Sequence, residues 1–109
     1  MSIWKPTSVE ETPALRLTAW LVYELPDGSR HFNGFNMTEG EGRVSSPIVQ
    51  WDPITRCGVT RSGRVYMLEG ESRMNIEASY VWDTWRHIYG IMKYTDVSNE
   101  YEPQTDEND

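Results

Sequence analysis

Few side chains in this sequence have a type and spacing suited to chemistry. Cys57 is the only cysteine, His31 and His87 are the only histidines, and Arg61 and Arg64 flank the pair Ser62-Gly63. A cysteine beside a histidine can serve as a nucleophile and its base. Here no spacing brings a histidine to Cys57, which reads as a small hydrophobe on a strand face beside Val59 and Leu68. The histidines show no H-x-x-x-H or Cys/His ligand spacing, and the TEGEG loop carrying Glu39 and Glu41 lacks the regular spacing of a calcium loop. Neither EGEG nor RSG matches a phosphate loop. The expectation is therefore a chain with no catalytic residue, metal or cofactor.

The arginines pose the sharper question. A two-residue turn at Ser62-Gly63 sets Arg61 opposite Arg64, Val59 opposite Tyr66, Cys57 opposite Leu68 and Arg56 opposite Glu69. Like charges directly opposite each other destabilise a hairpin. A nearby carboxylate, water at an exposed tip, or an external anion held by two guanidinium forks would relieve them.

The elements that position these groups follow from pattern. Leu15, Leu17, Ala19, Leu21, Tyr23 and Leu25 alternate as in a strand, while Trp20 and Val22 make the other face apolar as well. That reads as a central strand over 15–25, covered on both sides. Pro26-Asp27-Gly28 supplies a turn into a return strand at 30–35, with Leu25 facing Ser29, Glu24 facing Arg30 and Trp20 facing Gly34. Residues 36–47 read as a loop, 48–51 as a short strand, and CGVT with RVYMLE as a second hairpin. Asn75 caps a helix whose Ala78, Val81, Trp82, Trp85, Ile88 and Tyr89 share a face down to Gly90. Residues 91–97 read as a last strand. The fold class expected is α+β: a small antiparallel sheet of five to six strands with one helix packed on it. It forms a single domain over 14–97, between a flexible arm at 1–13 and an acidic, disordered tail at 98–109.

Trp82 and Trp85 read as core. Trp51 and Trp4 are the better candidates for exposed contacts. Seventeen acidic against ten basic residues leave a formal net charge of -7. Such a field disfavours nucleic acid and favours basic protein surfaces. Residues 43–73 are the basic exception, with five arginines against Asp52, Glu69 and Glu71. The single cysteine and the start MSIWKPTSVEETPALR, which lacks a leader's apolar core, fit a cytoplasmic setting.

The run GVTRSGRVYMLEG at 58–70, followed by ASYVWDTW at 78–85, resembles a pattern met in small hypothetical proteins of bacteria and their prophages. That resemblance covers hairpin and helix-core positions and implies no functional residue. In size, acidity and absence of catalytic motifs the chain is similar in type to the phage-encoded anti-CRISPR proteins, a group without a common fold. This implies a non-enzymatic inhibitor that docks an acidic surface on a nucleic-acid-handling protein. Its contacts would be Glu39 and Glu41 in the loop, Glu77 and Asp83 on the helix, and the acidic tail. An interaction module of the immunity or adaptor kind, dimeric through an uncovered sheet face, is the second expectation. Nucleic-acid binding through Arg56, Arg61, Arg64 and Arg73 is the third.

Overall fold

The computed structural model describes residues 13–103. It is α+β, one helix on one sheet, as the pattern predicts. The sheet runs β3(Glu41–Val44)-β2(Arg30–Asn36)-β1(Ala14–Glu24)-β6(Val65–Leu68)-β5(Cys57–Thr60)-β4(Ile48–Asp52), and β7(Thr95–Asp96) pairs the far end of β1. It is mixed rather than wholly antiparallel, because β1 runs parallel to β6 from Ala14 beside Val65 to Leu17 beside Leu68. The loop expected at 36–47 contains β3, which pairs with β2. The strand expected at 91–97 is reduced to the two residues of β7.

The first hairpin keeps its expected register. Glu24 lies opposite Arg30 and Tyr23 opposite His31, and the Leu25 amide donates to the Ser29 carbonyl at 2.8 Å. Asp27 accepts from the Ser29 amide and hydroxyl, and Gly28 takes the left-handed conformation, φ 90°. The double apolar alternation of β1 has a cause besides two-sided cover. A bulge between Thr18 and Leu21 sets Ala19 and Trp20 against the single residue Gly34. Leu15 and Leu17 are buried before it, Trp20 and Val22 after it, so the inward parity changes by one residue. A side chain at 34 would meet the Trp20 and Leu17 Cβ atoms at 3.0 and 3.2 Å.

One helix need not cover both faces, because the sheet coils over itself. A Cβ at Gly58 on β5 would come within 2.4 Å of the Phe32 ring on β2. The concave side holds the main core: Leu15, Leu17, Trp20, Val22, Phe32, Tyr66 and Leu68, closed by Val97 and Tyr101. Tyr101 belongs to a 3-10 helix, Ser98–Tyr101, so the start of the acidic tail is part of the fold. Arg30 joins that turn to the hairpin, bridging Glu24 at 3.0 Å and Glu100 at 2.8 Å. Residues 104–109, and residues 1–12 of the arm expected over 1–13, Trp4 among them, lie outside the described residues.

The convex side of β1, β2 and β3 carries α1(Ile76–Ile88). Asn75 caps it as expected, accepting from the Ala78 amide at 2.9 Å. Gly42 lets β3 approach the first turn of the helix, where a Cβ would stand 2.6 Å from the Glu77 carbonyl oxygen. The Asn33 amide donates to the Ala78 carbonyl, and the His31 ring lies 5.0 Å from that of Trp85. The helix therefore starts at the β2–β3 turn and runs toward the other end of that hairpin.

Candidate interaction surface

The second hairpin decides what the two arginines are. Its loop is Arg61-Ser62-Gly63, three residues long: the Thr60 amide donates to the Arg64 carbonyl at 3.0 Å, and that of Gly63 to the Thr60 carbonyl at 2.8 Å. Gly63, φ 93°, accepts the left-handed position, as Gly28 does in the first hairpin. This puts Thr60 opposite Arg64 and shifts the whole ladder, with Val59 facing Val65, Gly58 facing Tyr66 and Cys57 facing Met67. A shift of one exchanges the faces of one strand relative to the other, so Cys57 and Val59 leave the face of Tyr66 and Leu68, and Thr60 takes the place opposite Arg64. Arg64 is consequently 5% exposed on the side of Tyr66 and Leu68, and it has interactions of its own there. Arg61 is exposed at the loop tip. The two do not face each other, and the paired anion fork that the shorter turn implies does not form.

The same shift relocates their neighbours. Arg56, φ 62°, does not meet Glu69; its guanidinium donates to the Tyr101 carbonyl at 2.9 Å and lies over the Trp20 and Trp51 rings. Burial holds its pKa below the usual arginine value, and Glu102 offsets part of that. Glu69 pairs with Arg16 instead, at 3.2 Å. Cys57 is half-buried at the start of β5, its thiol donating to the Thr55 carbonyl. Trp51, expected to be an exposed contact, packs on Phe32 and Tyr101.

His31 is buried, with Nδ1 bonded to the Ser45 carbonyl at 2.8 Å and its pKa lowered chiefly by loss of solvent. His87 is exposed and bonds the Asp83 carbonyl. Among the described residues no group of three His, Cys, Asp or Glu side chains could hold a metal ion, and no helix is long and apolar enough to cross a membrane.

The four candidate acids fall into two groups. Glu39 and Glu41 sit at the β2–β3 turn, where the Asn36 side chain accepts from the Thr38 amide and Gly40 takes a positive φ. Loss of solvent and the adjacent Glu39 push the Glu41 carboxyl upward, and Arg43 partly offsets this. Glu77 lies in the first turn of α1, against the same hairpin. Glu39, Glu41 and Glu77 have no ion-pair partner among the described residues. Asp83 is nearly two turns further along and is bridged by Arg86 at 3.0 Å.

Sequence reasoning missed the apolar side chains between these acids. Met37 in the turn, Met74 just before the cap, and Ile76 and Tyr80 on the outward side of α1 are all exposed. Ile76 and Tyr80 are four residues apart, opposite the buried positions Ala78, Val81 and Trp82, a signal the helical period contains. No protein-family model, curated protein or solved structure matches the chain.

Proposed function

We propose that this protein works by binding another protein, as a non-enzymatic inhibitor whose acidic surface docks on the basic groove of a nucleic-acid-handling target. One observation carries the reading: carboxylates with no ion pair among the described residues, Glu39, Glu41 and Glu77, stand beside exposed apolar side chains at one end of the fold. Carboxylates supply long-range attraction to a basic partner, and apolar anchors supply the short-range energy. The burial of Arg64 weighs against the nucleic-acid alternative, which needed it at the surface.

The test is a tagged pull-down from bacterial lysate, with and without nuclease, using the wild type and the variant Glu39→Lys/Glu41→Lys/Glu77→Lys. The reading expects a nuclease-resistant partner that the triple variant does not retain. It also expects that partner's nucleic-acid binding to fall as the protein is added. Equal recovery by the variant, or recovery only through nucleic acid, overturns it.

A further inference from the structure

We infer that the end of the molecule formed by the β2–β3 turn and the start of α1 is a docking surface for a basic amphipathic helix of another protein. This rests on the protein-binding reading and names the surface and the chemistry of its occupant.

The geometry brings two segments, distant in sequence, to one place. Gly42 sits against the main chain of Glu77 and Ala78, so the turn at 37–40 and the cap at Asn75 lie at the same end of the hairpin. Met37, Met74, Ile76 and Tyr80 project there, with 64%, 69%, 84% and 65% of their surfaces exposed. A solvent-facing helix side ordinarily carries polar residues, whereas Ile76 and Tyr80 form an apolar ridge along it. Unbranched methionines adapt to varied partner shapes, and tyrosine is an effective interface anchor.

Charge selects the occupant. Of the acids elsewhere, Glu69 pairs with Arg16, Glu24 and Glu100 with Arg30, and Asp83 with Arg86, while Asp27, Asp52, Glu71 and Asp96 have no ion pair among the described residues. Glu39, Glu41 and Glu77, around the apolar ridge, lack such partners among the described residues. An acidic or neutral partner would leave these carboxylates repelled or desolvated without compensation, whereas Lys and Arg would pair with them. An apolar face bounded by cations is the pattern of a basic amphipathic helix, which presents anchors at i, i+3, i+4 and i+7. A second copy of this chain would instead bring carboxylate against carboxylate.

The test uses the full chain and a helical peptide of about 18 residues built from Leu and Lys at amphipathic spacing. A composition-matched shuffled peptide serves as control. Calorimetric titration should show saturable binding of the patterned peptide only. Met37→Ala/Ile76→Ala/Tyr80→Ala, and separately Glu39→Gln/Glu41→Gln/Glu77→Gln, should each weaken it by about tenfold or more. Circular dichroism is run on both variants, whose altered side chains contribute little to either core. No binding, equal binding of the shuffled peptide, or unchanged affinity in either variant overturns the assignment. The pull-down separates this failure from that of the broader reading. A partner held as well by the apolar triple variant removes this surface and leaves protein binding intact.

Discussion

The two faces of the β1–β2 hairpin bury their aromatic side chains in different ways. On the concave side Phe32 contacts the rings of Trp51, Tyr66 and Tyr101, and the sheet and the 3-10 helix close over them. There the Trp20 indole donates to the Gly70 carbonyl and Arg43 reaches the Tyr66 hydroxyl, while Asn36 Nδ2 and Arg56 Nε have no partner among the described residues. On the convex side Tyr23 stacks on Trp82 at 4.4 Å, and the array continues through Trp85 to Tyr89, which is exposed. That layer also contains buried His31 and Asn33, and the Trp82 indole N–H has no partner among the described residues. A closed core and a partly open layer should differ in cooperativity, because regions with fewer buried apolar contacts open at lower free energy.

The two close-approach glycines test that difference most strongly. A methyl at Gly58 would overlap the Phe32 ring, which is enclosed on every side, with its nearest atom at 2.4 Å. Gly58→Ala should cost about 2–3 kcal/mol of global stability in urea unfolding, near the upper range for overpacking. A methyl at Gly42 would meet the backbone of α1 at 2.6–2.8 Å, so the helix has to shift away from β3 to admit it. Gly42→Ala should cost about 1–2 kcal/mol. Its hydrogen exchange should quicken chiefly in α1, with the amides of β1 and β6 still protected. Equal loss of protection across sheet and helix would make the two layers one cooperative unit.

His31 sharpens the comparison with a smaller, pH-dependent effect. Burial of its ring in the convex layer disfavours the imidazolium; the bond to the Ser45 carbonyl and the charge of Asp27 oppose this, and Arg61 acts in the same sense as burial. The folded state therefore takes up the proton at a lower pH than the unfolded chain. Stability is fully present above the unfolded-state value of about 6.5 and falls as pH drops through that value toward the folded one. The slope attributable to one such group is at most about 1.4 kcal/mol per pH unit. Denaturant midpoints should decline from pH 7 to pH 5 in the wild type and decline less in His31→Phe. Parallel curves would exclude His31 as the source.

Which of these features the residues announce depends on how local their causes are. Pro26-Asp27-Gly28 and the Glu24–Arg30 pair act within one turn, and that hairpin stands as expected. Helix α1 is legible for the same reason, from its cap and its period. The second loop follows the same three-residue rule as the first, with glycine third, yet Ser62-Gly63 also suits a two-residue turn. That ambiguity of one residue is enough to move Arg64 from the tip to the interior. Strand β3, EGRV, lacks an apolar alternation because Gly42 lies under the helix and Arg43 reaches across the concave side to Tyr66. The parallel pairing of β1 with β6 joins residues about fifty positions apart, and no local pattern specifies it. At the candidate surface, the acids were visible as charges. The exposure of Met37 and Met74 depended on where the turn and the cap meet.

The smallest effect concerns the point at which β1 passes from one packing parity to the other. Ala19 holds φ 48° in the bulge, a conformation that disfavours a residue with a Cβ by roughly 1–2 kcal/mol. Glycine would remove that cost but adds roughly 0.5–1 kcal/mol of unfolded-chain entropy to be overcome. The balance gives Ala19→Gly a gain between about zero and 1.5 kcal/mol, read as a small rise in melting temperature. Ala19→Val, β-branched and buried, should lose clearly more than Ala19→Gly gains, because the left-handed region suits it least. If glycine destabilises, the methyl of Ala19 is worth more as packing than its backbone costs as strain. The change of parity would then be maintained by Trp20 seated over Gly34 rather than by the conformation of Ala19.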